Sequence, residues 1–206
     1  MIITSIVPID KKRSKIYIDD EFAFVLYKGE FKEYGIALDS ELPETHYNAI
    51  LNELLPKRAK LRGMALLTKK PYTEKQLRDK YADGFYPEDI VDEAIDYLKN
   101  FHYVDDVRYC MDYIDTYKES RSIMRMKNDL MNKGISKNDI YSAFSNIEDS
   151  EEGLPNEVEQ IRRLIEKKHV NLDLLDYYEK QKLMASLVRK GYGFETVSKL
   201  INAYND

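Results

Sequence analysis

The chain has 206 residues, of which 43% are hydrophobic, 33% charged and 12% aromatic, and its formal net charge is −5. An aromatic content this high excludes an intrinsically disordered chain, and the length allows one large domain or several small ones. Only 8 Gly and 6 Pro are present, which excludes collagen-like and linker-dominated chains. Because the apolar runs are short and no signal-peptide pattern opens the chain, we expect a soluble, cytoplasmic protein with no membrane-spanning segment.

The first 27 residues show the alternation of polar and apolar residues that is typical of β-strands. Residues 2–7, 15–19 and 22–27 are rich in β-branched and aromatic side chains. Pro8 ends the first run, and the acidic residues 19–21 separate the second run from the third. We therefore predict a three-stranded antiparallel meander, which needs a helical partner to pack against.

From residue 57 onward the apolar residues follow a helical period, and one pattern occurs three times. A glycine is followed at once by an apolar residue, and two further apolar residues follow at the same spacing each time. The pattern is found at Gly84, Gly134 and Gly191. Because glycine tolerates the left-handed conformation that ends many helices, each motif predicts a helix end, a tight turn and a second helix.

Each of these helix pairs is preceded by another helical segment, so the repeating unit has three helices and about 50 residues. The preceding segments are residues 59–67, 107–117 and 158–168. Two helix starts carry capping signals, because Thr73 is followed by Gln76 and Ser136 by Asp139. Tyr109, Tyr113 and Tyr117 lie at a spacing of four, which predicts core packing for this stripe more than base stacking.

The predicted fold is mainly α, with three tandem three-helix (helix-turn-helix-like) repeats in an elongated array and a small N-terminal antiparallel β segment. Residues 1–55 hold the meander and a short helix. Residues 56–104, 105–147 and 156–206 are repeats 1, 2 and 3. Residues 148–155 are acidic and contain both Gly and Pro, which indicates a linker or hinge.

Charge is unevenly distributed along the chain. The net charge is −4 over residues 1–56, +2 over residues 57–133 and −3 over residues 134–206. A protein that binds naked DNA by itself usually has a larger cationic excess. The distribution favours a protein partner, or weak contact with nucleic acid on one face.

The cations of the central segment form two clusters that we predict to contact a partner or nucleic acid. The clusters are Lys57, Arg58, Lys60 and Arg62, and Arg121, Arg125, Lys127 and Lys133. Arg121 and Arg125 would share a face of an ideal helix. The alternative for each cluster is a solvated helix face. For Arg189 and Lys190, a favourable interaction with the helix C-terminus is the preferred interpretation.

No arrangement of residues indicates catalysis or metal binding. Cys110 is the single cysteine, and the three histidines are scattered, so neither a disulfide nor a zinc site is expected. Asp105 and Asp106 precede a helix and are interpreted as N-cap residues, not as catalytic carboxylates. Phosphate-binding glycine loops are absent from the sequence. We expect no cofactor, no metal and no enzymatic activity.

Four blocks, taken in chain order, resemble one known family. They run from Leu66 to Lys80, from Tyr103 to Tyr109, from Ser122 to Ser136 and from Lys182 to Tyr192. With this order and spacing the chain resembles the RecX family, the regulatory proteins of the RecA recombinase, over nearly its whole length. The segment from Ile16 to Phe24 looks like the additional N-terminal segment of some members. The first repeat departs from the pattern, because its motif is one residue shorter and Asp83 stands where Lys is typical.

The resemblance implies a monomeric, non-enzymatic protein that binds the RecA–DNA filament and modulates, most often inhibits, strand exchange and ATP hydrolysis. The alternative is a direct DNA-binding protein that uses its helix-turn-helix-like pairs. A helix that reads the major groove is usually rich in Arg, Asn and Gln. The helix after Gly84 begins with Glu88 and Asp89 instead, which disfavours that alternative.

Overall fold

The computed structural model describes residues 1–150 and 153–202, which form two compact units: Met1–Asp105, and a second that begins at Asp106. The strands of the first unit are β1 Ile3–Pro8, β2 Arg13–Ile18 and β3 Glu21–Tyr27. Its helices are α1 Phe31–Tyr34, α2 Glu44–Ala49, α3 Leu55–Leu67, α4 Glu74–Ala82 and α5 Glu88–Asn100. Those of the second are α6 Asp106–Tyr117, α7 Ile123–Asn132, α8 Lys137–Glu148, α9 Glu157–Lys167, α10 Tyr177–Arg189 and α11 Phe194–Asn202. The predicted fold class, mainly helical with a small N-terminal antiparallel sheet, is confirmed.

The sheet has the order β1-β2-β3, and both strand pairs are antiparallel. Along β2 every second side chain is buried, so Ile16 and Ile18 lie on one face. In the turn between β2 and β3, Asp19 and Asp20 have φ of +48° and +69°. Two consecutive left-handed residues are characteristic of tight hairpin turns, and Asp is one of the residues that tolerate this conformation.

The buried face of the sheet packs on the first three-helix repeat, α3–α5. Ile16 and Phe24 of the sheet and Ile95 and Leu98 of α5 belong to a single apolar core, and all four are completely buried. Packing against a helix stabilises a small sheet of this kind by covering its apolar face. The N-terminal segment and repeat 1 therefore share one core.

Gly63 allows α3 to approach its neighbours closely. A Cβ atom at this position would lie 2.5 Å from Leu98 Cδ1 and would also collide with the hydroxyl of Tyr81. The Tyr81 hydroxyl donates a hydrogen bond of 2.9 Å to the Ala59 carbonyl on the same helix as Gly63. The buried tyrosine of repeat 1 thus has its polar atom satisfied, as burial requires.

The second unit contains two separate apolar cores, one for each of repeats 2 and 3. Cys110 and Ile114 of α6 are completely buried in the core of repeat 2. The tyrosine stripe of α6 packs against that core, as predicted. Ile161 of α9, Leu187 of α10 and Val197 of α11 belong to the core of repeat 3. Of the predicted linker between these repeats, Glu151 and Glu152 lie outside the described residues.

The predicted left-handed glycines are confirmed in repeats 2 and 3. Gly134 has φ of +84° and Gly191 has φ of +93°. In each case the residue after the glycine returns a backbone hydrogen bond to the preceding helix, from Ile135 to Leu130 and from Tyr192 to Leu187. This is the Schellman arrangement that closes a helix C-terminus.

For Gly84 the prediction is wrong, because the left-handed residue in repeat 1 is Phe85, with φ of +59°. The equivalent hydrogen bond joins the amide of Tyr86 to the carbonyl of Tyr81. It aligns Phe85, and not Gly84, with the glycines of the other repeats. Glycine is needed at position 84 for space, since a Cβ there would lie 2.9 Å from the Tyr86 ring.

Two predicted helix caps are confirmed. Thr73 accepts a hydrogen bond from the Gln76 amide, and the Gln76 side chain accepts one from the Thr73 amide, which completes a capping box at α4. Ser136 accepts from the Asp139 amide at α8. Within the part of the chain that the structure describes, no helix has both the length and the apolar surface needed to cross a membrane.

Candidate partner-binding surfaces

Arg58, in the predicted N-terminal basic cluster on α3, is committed to contacts inside unit 1. Its guanidinium forms an ion pair with Glu30 at 2.5 Å and donates to the Val25 carbonyl at 3.1 Å. The same group lies 4.9 Å from the centre of the Tyr27 ring. Only 16% of the Arg58 side chain is exposed. This arginine therefore fastens the sheet to α3.

The other cations of this cluster differ in how much charge they present to solvent. Arg62 donates to the Lys80 carbonyl at 3.1 Å, while its buried Nε has no hydrogen-bond partner among the described residues. It lines a cavity of about 10 Å³, which has room for a single water molecule. Lys60 pairs with Glu93 at 2.7 Å. Lys57 is exposed, and no carboxylate pairs with it in the part of the chain that the structure describes.

In the second cluster, Arg121 holds a compact polar group together. It lies in the turn before α7, not on the helix, and its Nη1 pairs with Asp129 at 2.6 Å. The guanidinium lies 3.8 Å from the centre of the Tyr117 ring and donates to the hydroxyl of Tyr113. Asp129 also accepts from the Tyr113 hydroxyl at 3.1 Å. Burial raises the pKa of Tyr113 to about 12, and its hydrogen bond to Asp129 acts in the same direction.

Arg125 combines an internal ion pair with an accessible side chain. Its Nε lies 3.2 Å from Asp129, yet 60% of the side chain is exposed. Arg121 and Arg125 therefore converge on one carboxylate, although only Arg125 belongs to α7. Lys127 and Lys133 lie over aromatic rings instead, 4.8 Å from Phe144 and 5.9 Å from Tyr109 respectively.

Repeats 2 and 3 are joined within unit 2 by hydrogen bonds between polar groups. Gln160 of α9 is 4% exposed, and its amide donates to the carbonyls of Lys118 and Arg121. The Tyr192 hydroxyl donates to the Gln160 side-chain oxygen at 3.0 Å. Both ends of the buried amide are thus satisfied. A polar residue on the buried face of α9 therefore connects the two repeats.

Ser122 forms a second connection between the same repeats. Its hydroxyl donates to the Lys190 carbonyl at 2.8 Å and accepts from the Arg125 amide at 3.2 Å. Glu157 accepts a hydrogen bond of 2.8 Å from the Ile123 amide at the start of α7. Gly191 is required for this approach, because a Cβ there would lie 2.5 Å from Ser122 Oγ.

Beside these connections lies a groove of about 350 Å³, which we call the inter-repeat groove. Its lining residues are Ser120, Arg121, Ser122, Arg125, Leu164, Arg189, Lys190 and Tyr192. Four of these eight are cationic and none of them is acidic. The sequence reasoning missed this site, because Arg189 and Lys190 belong to a different repeat from Arg121 and Arg125. The polar Gln160 on the otherwise apolar face of α9 was the sequence feature that could have indicated contact between the two repeats.

Among the described residues no group of His, Cys, Asp or Glu side chains is arranged to hold a metal ion.

Family profiles match two of the three repeats. A profile described as the first three-helix domain of RecX matches residues 59–98, and one described as the third three-helix domain matches residues 156–201. The protein named regulatory protein RecX from Caldanaerobacter subterraneus subsp. tengcongensis is 31% identical over 204 residues, which cover 98% of this chain and 99% of that protein. A protein of the same name from Clostridium perfringens (strain 13) is 28% identical over 92% of this chain and 88% of its own.

Two solved structures share the fold. A crystal structure described as regulatory protein RecX has a TM-score of 0.63 at 22% identity and covers 98% of both chains. The structure of RecX from Lactobacillus salivarius has a TM-score of 0.62 at 22% identity, over 73% of this chain and 97% of its own. At this level of identity the likeness is one of fold.

Proposed function

The chain belongs to the RecX family of regulatory proteins, and from that premise we propose that it binds the RecA–DNA filament and inhibits its recombinase and ATPase activities. The observation that carries the proposal is the family match along 98% of the chain, in the order of the repeats. In this role the protein acts as a cytoplasmic monomer in recombinational DNA repair and the SOS response. It acts by binding and has no catalytic activity of its own, in keeping with the relatives' name of regulatory protein.

The charge distribution supports a composite partner of protein and DNA. A chain with net charge −5 has no overall electrostatic attraction to bare DNA, while a local basic surface still attracts phosphates. Both basic clusters lie in the only net-positive segment of the chain. Binding to a filament supplies protein contacts in addition to phosphate contacts, so a modest cationic surface suffices.

Within these clusters we propose that Lys57 and Arg125 are the main contacts with the filament. Arg58 and Arg121 also serve internal structure, through Glu30 and Asp129. A cation with a well-ordered internal partner must give up part of that interaction before it binds another anion. The more exposed Lys57 and Arg125 carry a smaller cost of this kind.

The proposal is tested by titrating the protein into cognate RecA on single-stranded DNA while following ATP hydrolysis. We expect hydrolysis to fall in proportion to the bound protein, and bare DNA to bind weakly in a parallel assay. An unchanged rate of hydrolysis at saturating protein would contradict the proposal. Tight binding to bare DNA with a steep salt dependence would instead favour the direct DNA-binding alternative.

Charge reversal then identifies the contact surface. The variants Lys57→Glu and Arg125→Glu are expected to weaken the inhibition of hydrolysis by about tenfold each at low salt. Lys32→Glu in unit 1 and Lys137→Glu in unit 2 are matched controls, because both lysines are exposed and lie outside the two clusters. Equal effects of the controls would show that only the overall charge matters.

A further inference from the structure

We propose that the inter-repeat groove binds the phosphodiester backbone of single-stranded nucleic acid. This inference rests on the proposed function in one respect, since DNA is the nucleic acid of the filament. It goes beyond the two basic clusters, because it assigns contacts to Arg189 and Lys190 and makes the site a joint product of repeats 2 and 3.

The first argument is the charge of the lining. The groove is lined by four cationic residues and by no acidic one among the described residues. Asp129, behind the lining, compensates part of the charge of Arg121 and Arg125. Within residues 1–150 and 153–202, neither Arg189 nor Lys190 forms an ion pair. The groove therefore retains a net positive charge that nothing in the described chain neutralises.

The second argument is the geometry of the arginines. Arg125 uses Nε to contact Asp129, and its two Nη atoms have no partner in the described part of the chain. A guanidinium with two open N–H groups is suited to bidentate contact with a phosphate. Arg121 is held in place by Asp129 and by the ring of Tyr117. Because Arg121 is already paired with Asp129, it shapes the wall of the groove, and Arg125 provides the open guanidinium.

The third argument is that the walls of the groove are fixed relative to each other. Ser122 bonds to the Lys190 carbonyl, and Gln160 bonds to the carbonyl of Arg121 and to Tyr192. The cations of the two repeats therefore face the same space without a change of structure. A volume of about 350 Å³ lies within the range of ~300–1,000 Å³ that is typical of ligand sites.

An acidic peptide is the competing occupant, and the lining disfavours it. Arginine clusters also recognise acidic peptides, but peptide complexes take much of their affinity from apolar side chains buried in pockets. Leu164 is the one aliphatic side chain among the described residues that line this groove. A phosphodiester needs only cations and hydrogen-bond donors, which the groove supplies.

The preference of cations for helix C-termini is the competing explanation for Arg189 and Lys190, and α9 supplies a control for it. Arg189 and Lys190 lie at the end of α10, where the helix dipole favours positive charge. Lys167 and Lys168 lie at the end of α9 in the same repeat and are also exposed. That second pair does not line the groove, so it offers a control with the same charge and the same kind of position.

The test compares Arg189→Ala/Lys190→Ala with Lys167→Ala/Lys168→Ala by fluorescence anisotropy of a labelled oligothymidylate over a series of salt concentrations. Far-ultraviolet circular dichroism checks that both variants fold. The bond from Ser122 to residue 190 is made to a backbone carbonyl, so alanine preserves it.

We expect the groove variant to bind about 5- to 20-fold more weakly at low salt. Its slope of log K against log salt should shrink by up to about 1.4, at about 0.7 for each phosphate that the variant no longer neutralises. The control should match the unsubstituted protein.

Three results would overturn the inference: no binding of the oligonucleotide by the unsubstituted protein at low salt, unchanged binding by the groove variant, or an equal reduction in the control. If the second result is accompanied by impaired regulation of the filament, the occupant of the groove is an acidic protein segment. If instead the groove variant fails to bind DNA while even the unsubstituted protein leaves RecA hydrolysis unchanged, the inference stands and the proposed function fails.

Discussion

The two units of this protein hold their parts together by different means. In unit 1 the sheet and repeat 1 share one continuous apolar core, built around completely buried residues such as Phe24 and Leu98. In unit 2 the repeats keep separate apolar cores, and the buried Gln160 and Ser122 connect them by hydrogen bonds. Apolar burial is strong but non-directional, whereas buried hydrogen bonds demand one geometry. Unit 2 is therefore the part in which the relative position of two repeats is specified by particular atoms.

The difference matters for function. In unit 1, Arg58, Lys60 and Arg62 of the predicted basic cluster already contact polar groups of the same unit, so they mainly stabilise the fold. In unit 2 the polar connection places the cations of two repeats around one groove. A junction that consisted only of apolar side chains would tolerate sliding of one repeat on the other and would align those charges less well.

The largest expected effect on stability comes from creating a cavity in the core of unit 1. Leu98→Ala removes a completely buried side chain and should destabilise the unit by about 2–5 kcal/mol. Leu61→Ala on α3 is the matched control, because Leu61 is 56% exposed, and it should cost less than about 0.5 kcal/mol. Urea denaturation followed by circular dichroism measures both. Similar costs for the two variants would mean that this core does not hold the unit together.

The next effect comes from the close approach at Gly191. Gly191→Ala should cost about 2–4 kcal/mol, because a left-handed alanine is strained by about 1–2 kcal/mol and its Cβ collides with Ser122. Gly134→Val places a β-branched residue at the left-handed position of repeat 2, and we expect about 1–2 kcal/mol from the backbone strain. Thermal denaturation compares them. A melting temperature unchanged by the Gly134 substitution would show that this residue does not need the left-handed conformation.

Replacement of the buried amide should separate the repeats of unit 2. Gln160→Met keeps the volume but removes the bonds to Arg121 and Tyr192, at a cost of about 1–3 kcal/mol. Hydrogen exchange should increase in α9 and in the turn before α7, while unit 1 is unaffected. Gln181→Met, at an exposed position of α10, is the matched control. Protection that persists in the Gln160 variant would argue that the junction is held by other interactions.

The smallest expected effect on stability at neutral pH comes from replacing one tyrosine in each unit, because these tyrosines influence stability mainly at alkaline pH. Burial raises the pKa of Tyr81 to about 12, and the pKa of Tyr113 is raised to about 12 as well. Because the folded state favours the protonated hydroxyl, its stabilisation is complete below the ordinary value near 10 and disappears as pH rises toward 12. Tyr81→Phe and Tyr113→Phe should each remove this alkaline destabilisation from their own unit. Denaturation curves at a series of alkaline pH values check the expectation, and an unchanged pH dependence in either variant would contradict it.

Local features were predictable because they depend on residues that are close in sequence. The strands, the caps at Thr73 and Ser136, and the left-handed Gly134 and Gly191 follow from propensity and spacing. The one error of this kind, at Gly84, also has a local cause. Its motif is one residue shorter, so the closing hydrogen bond places Phe85 at the left-handed position.

The sequence by itself determined the family, the helical repeats with their N-terminal sheet, and which segment carries excess positive charge. Only the tertiary structure decided which cations remain available to a partner. Arg58 meets Glu30 28 positions away, and Ser122 meets Lys190 68 positions away. Such contacts depend on how separate helices pack, which no local pattern of residues specifies. The inter-repeat groove exists for the same reason, since its charges come from two repeats that become neighbours only when the chain folds.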